Sequence, residues 1–87
     1  MTRWLARALD AYITRDSLKS RCRVNGVPYW PWDSNADLRR RLDCAMAYGY
    51  PSERADPRWL ASFEGRMMMA EARLMRALGV ARNGGSA

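Results

Sequence analysis

The side chains with chemistry to offer are arginines interleaved with indoles. In "CRVNGVPYWPW", Cys22 to Trp32, and just before it, Arg21 and Arg23 lie close in sequence to Trp30 and Trp32. A guanidinium over an indole contributes about 0.5–2 kcal/mol, and aromatic platforms flanked by Arg hold single-stranded nucleic acid. The run Arg39, Arg40, Arg41 could grip phosphates or an acidic partner. Arg near a helix start opposes the macrodipole, which points to something beyond helix stability maintaining the run; the competing reading is a solvated face. For the indoles, the competing reading makes Trp30 and Trp32 a seal over the core and leaves the arginines solvated.

A second grouping is "RMMMAEARLM". Three consecutive methionines span about 200° of a helix, so they cannot share one face. Met68, Met69 and Met75 are expected along an exposed edge, where flexible thioethers suit an adaptable protein interface. Gly65 sits where a helix would prefer Ala by up to about 1 kcal/mol, which points to close approach of another backbone. Trp59 belongs to a residue type enriched at interface centres. Here the competing reading is a thick core filled by Met.

For catalysis the inventory is thin. The chain has no His, its nine acids are scattered, and it carries no glycine-rich phosphate loop, nucleophile elbow or nucleotide fingerprint. The expectation is a protein that is not an enzyme and has no small-molecule substrate. Cys22 and Cys44 form no CxxC pair, so neither a metal site nor another cofactor is expected. With no secretory h-region they predict a reducing, cytoplasmic setting. No apolar run approaches the ~18 residues that would cross a bilayer, so no membrane partner is expected.

Eighty-seven residues suffice for one domain. The net charge is +6, with basic excess at both ends: six basic against three acidic side chains in residues 1–33, four of each in 34–56, and five against two in 57–87. That balance suits phosphate backbones or acidic protein surfaces without separating them. Fourteen of the fifteen basic residues are Arg and thirteen residues are Ala, a bias that GC-rich coding also produces.

The elements that must position these groups follow from periodicity. Trp4, Leu5, Ala8, Leu9, Tyr12 and Ile13 recur at three- and four-residue intervals and predict a helix from Thr2 to about Arg15. Leu18, Ser20, Cys22 and Val24 then alternate with basic residues, and Asn25-Gly26 favours a type I′ turn, so a β-hairpin is expected over about residues 18–30. Its polar face would carry Arg21, Arg23 and Trp30. Ser34 with Asp37 resembles a capping box opening a second helix that ends at Gly49. Its Arg39, Arg40 and Arg41 are expected to point outward. Asp56-Pro57 opens a third helix running to Leu78, with Leu60, Phe63, Met67, Ala70, Leu74 and Ala77 as a narrow packing seam.

The expected fold is mainly α: a single compact three-helix domain over residues 1–79 with a hairpin between the first two helices, and a disordered tail over 80–87. The expected function is a small non-enzymatic protein-binding module, able to self-associate as a homo-oligomer. Its size and composition suit a phage or mobile-element accessory protein, such as an inhibitor, that docks on and modulates a larger host complex. The alternative is a basic nucleic-acid-binding protein using the Arg/Trp face.

Overall fold

The structure, a computed structural model, describes residues 2–80, the Ala11 side chain excepted. The chain forms α1 (Arg3–Val24), α2 (Asn35–Tyr48), α3 (Pro57–Ala61) and α4 (Phe63–Leu78), with no strand among the described residues. The fold is mainly helical, as its patterning implies, but there is no hairpin over residues 18–30: its first strand is the end of α1 and its second is unpaired chain.

The reason lies in a spacing of four. Leu18 and Cys22 are compatible with a strand of period two, yet i and i+4 also share one face of a helix, and it is this face that is buried. Val24, which the strand would bury, is 82% exposed. Asn25-Gly26 ends α1 rather than turning a hairpin. Asn25 keeps a negative φ of −92° whereas a type I′ turn requires a positive one; Gly26 takes φ 70°. The Gly26 N–H donates to the Arg23 carbonyl at 3.3 Å and the Val27 N–H to the Cys22 carbonyl at 2.8 Å, the paired bonds of a Schellman motif. Val27 and Cys22, both fully buried, supply its apolar contact.

Beyond the cap, Val27, Pro28 and Tyr29 run buried and without strand pairing into a tight turn at Trp30–Asp33. The Asp33 N–H closes it on the Trp30 carbonyl at 3.0 Å, with Pro31 preset for the second position. α2 opens as its sequence predicts. The Ser34 hydroxyl accepts from the Asp37 N–H, and the Asp37 carboxylate accepts from the Ser34 N–H. It stops at Gly49, whose N–H still donates to the Ala45 carbonyl at 3.0 Å while its left-handed φ of 90° turns the following chain off the helix axis.

The third expected helix is broken in two at Ser62, which adopts extended backbone (φ −73°, ψ 162°). Its N–H donates to the Trp59 carbonyl and its hydroxyl accepts from the Gly65 N–H, so one residue closes α3 and caps α4. Gly65 makes this possible. A Cβ there would lie 1.8 Å from the Trp59 carbonyl oxygen, so the close backbone approach is intramolecular, α4 upon α3.

α1 packs on α2 and α3 on α4. Leu18 and Cys22 from α1, Leu38 and Leu42 from α2, and Met68 and Ala72 from α4 belong to one buried cluster. Val80 donates from its backbone to Met75 beyond the end of α4; the rest of the expected tail, 81–87, lies outside the described residues.

Candidate functional site

The most elaborate polar arrangement is centred on Arg41. Expected to face outward, it is instead buried on α2 and grips two acids. Its Nε donates to Asp33 Oδ2 at 2.7 Å and its Nη2 to Asp33 Oδ1 at 3.3 Å, while Nη1 reaches Glu71 Oε1 at 2.5 Å. Trp30 joins through two donors, its backbone N–H to Asp33 and its indole N–H to Glu71 Oε2, each at 3.0 Å. Arg15 of α1 donates to the carbonyls of Asp33 and Pro31. The clasp therefore ties the turn to α1, α2 and α4.

Burial alone would lower the Arg41 pKa, but its hydrogen bonds to Asp33 and then Glu71 outweigh that and raise it. Burial likewise pushes the Glu71 carboxyl up, yet hydrogen bonds from Arg41 and Trp30 prevail and hold it below the usual carboxylate range. Each charge is satisfied by another, which is the condition for keeping ions inside a small domain. The cluster is built for cohesion.

The expected nucleic-acid face is divided. Arg21 of α1 and Arg39 of α2 line a groove of about 610 Å³ together with Leu18, Leu42 and Met46. Trp30, Trp32, Arg40 and Arg41 line a separate hollow of about 290 Å³. Trp32 is 72% exposed and stacks on the half-buried Trp30 with ring centroids 5.0 Å apart. Arg23 donates to the Tyr29 hydroxyl at 2.8 Å, and Arg40 pairs with Glu64 at 3.3 Å. These seven residues do not converge.

The methionine edge is inverted. Met68, Met69 and Met75, with Gly65 and Trp59, are all buried, so the edge expected to be exposed is the inner face of α4. Trp59 packs between Tyr48, stacked at 5.2 Å, and Tyr50, edge-on at 5.9 Å, while its indole N–H donates to Glu64 at 2.9 Å. The seam residues Phe63, Met67 and Leu74 face solvent instead. Both faces of α4 are apolar, and the unbranched, flexible methionines fill the inner one.

Periodicity identified the other exposed surface as a helix face without showing that it would lack a cover. Every described side chain from Thr2 to Ile13 is exposed, and Trp4, Leu5, Leu9, Tyr12 and Ile13 form a broad apolar stripe over half the helix circumference. The first half of α1 stands off the domain.

Cys22 and Cys44 are both free and buried. Burial pushes both thiols up to about 11, with Glu64 adding to the effect at Cys44. Among the described residues no three His, Cys, Asp or Glu side chains gather to hold a metal, and no helix is long and apolar enough to cross a membrane. Compared with models of protein families, with curated proteins and with solved structures, the chain matches none.

Proposed function

We propose that this chain is a non-enzymatic protein-binding module that presents the first half of α1 to an apolar groove on a larger protein and so modulates it. One observation carries the reading: five large apolar side chains lie exposed on a helical segment that its own domain does not cover. A segment of this length is marginal as an isolated helix in water, and a contiguous patch of several hundred Å² is the usual mark of an interaction surface. Recognition would follow the helix-in-groove mode, with Leu5, Leu9 and Tyr12 as anchors at three- and four-residue spacing. Arg3 and Arg7, on the opposite side of the helix, would favour a partner whose surroundings are acidic.

The test is affinity capture from the native host with the wild-type chain and with a Leu5→Glu, Leu9→Glu variant, followed by measured binding of each to the purified candidate. A partner bound by the wild type and weakened at least tenfold by the variant, with helix content unchanged, supports the reading. Equal binding by both would remove α1 from the interface.

The nucleic-acid alternative has Trp32 in its favour, since the outer face of its indole is open beside Arg40 and could stack a base. Binding of a labelled single strand that falls steeply with salt and is lost on Trp32→Ala would favour that alternative.

A further inference from the structure

The outward face of α4 carries a second apolar pattern, independent of α1. Phe63, Met67, Ala70, Leu74 and Ala77 are separated by four, three, four and three residues, and all five are exposed. That is the alternation of d and a positions in a heptad repeat, the seam by which two helices pack knobs into holes. In this register Arg66 and Arg73 fall at g, on one edge of the seam. Glu64 and Glu71 fall at e, on the other edge.

We propose that α4 pairs with α4 of a second copy of this chain, in parallel and about a two-fold axis. The occupant follows from the charges. In a parallel pair the g edge of one helix runs beside the e edge of the other, placing Arg66 beside Glu71 of the second copy, and the symmetry makes the contact twice. An antiparallel pair would set g against g and e against e, arginine facing arginine and glutamate facing glutamate. Neither Arg66 nor Arg73 has an ion-pair partner among the described residues. Glu71 is held on one side by Arg41 and Trp30, but its side chain remains 37% exposed, and each carboxylate oxygen can accept a further bond.

Area sets the strength. The seam, with Leu78 at its end, offers on the order of 500 Å² per copy, hence roughly 1,000 Å² for the pair, at the lower bound for a specific interface. The dimer is therefore weak and concentration-dependent, forming in about the 1–100 µM range.

Sedimentation velocity of the full chain across that range tests the pairing, and an Ala77→Cys variant tests its direction. A parallel pair brings the two introduced thiols together at d, so mild oxidation yields a disulfide-linked dimer. An antiparallel pair separates them by most of the helix length. The buried native thiols do not compete, and Cys22 and Cys44 in the unsubstituted chain provide the control. The expected results are a concentration-dependent doubling of mass, cross-linking through residue 77, and loss of the dimer on Leu74→Glu with circular dichroism unchanged. A monomer throughout the range, a dimer indifferent to Leu74→Glu, or one that fails to cross-link at residue 77 would overturn the proposal. Leu9→Glu separates this surface from α1: it leaves the α4 dimer intact, and a dimer lost on Leu9→Glu instead would also overturn it.

Discussion

α1 has two halves with different fates. Its second half is built into the domain: Leu18 and Cys22 enter the core, and Arg15 joins the turn that Arg41 holds from below. Its first half has comparable apolar spacing, yet none of its described side chains is buried and none makes a hydrogen bond or ion pair with a described residue. The same helical pattern therefore does not imply the same source of stability. At the inner end the helix is held by packing and by a satisfied set of charges, while at the outer end it has only propensity and its attachment to the inner end.

The largest separation between the two regions is expected at Arg41. Replacing it with Ala leaves the buried Asp33 carboxylate without its cation, a loss of about 3–5 kcal/mol, to which Glu71 adds little because water screens its half-exposed carboxylate. Urea unfolding measures it. A loss below about 1 kcal/mol would mean that the clasp is not what closes the inner end.

A smaller effect of the same arrangement appears with pH. Because the folded Glu71 carboxyl lies below its ordinary 4.5, the unfolded chain takes up the proton first as acid is added. Its contribution is present above about pH 4.5 and is lost as the pH falls through the folded value. The urea midpoint should fall between pH 5 and pH 3, and Glu71→Gln should flatten that part of the curve from a lower starting stability. An unchanged slope in the variant would assign the acid response to other carboxylates, such as Asp37, whose bonds to Ser34 also hold it low.

Helix boundaries with local causes were legible in the sequence. The Ser34/Asp37 box, the stop at Gly49 and the Asp56-Pro57 start are written in residues that touch the backbone beside them. Other features failed where one local signal serves two structures. The Leu18/Cys22 spacing fits strand and helix, and Asn-Gly suits both a hairpin turn and a helix cap. Arg41 gave no local signal at all, since its partners lie eight residues before it and thirty after it. As a surface, the α4 seam was visible as a pattern but not as an exposure, because a helix apolar on two sides does not say which side faces in. Gly65 did announce a close approach, but not that the other backbone would be that of its own chain.

The smallest expected effect, that of Leu9→Ala, tests the contrast most directly when it is set beside Leu18→Ala. Leu18→Ala removes a side chain that is 5% exposed and should cost about 2–5 kcal/mol, through lost burial and the cavity left behind. Leu9→Ala removes the same atoms from the same helix nine residues earlier, at a position already 49% exposed. Alanine's higher helix propensity offsets part of the lost contact, so the change should stay within about 0.5 kcal/mol. Both variants unfolded in urea at low-micromolar concentration provide the comparison. If Leu9→Ala proved as costly as Leu18→Ala, the outer half of α1 would already be packed against something in solution, and the surface offered to a partner protein would not be open.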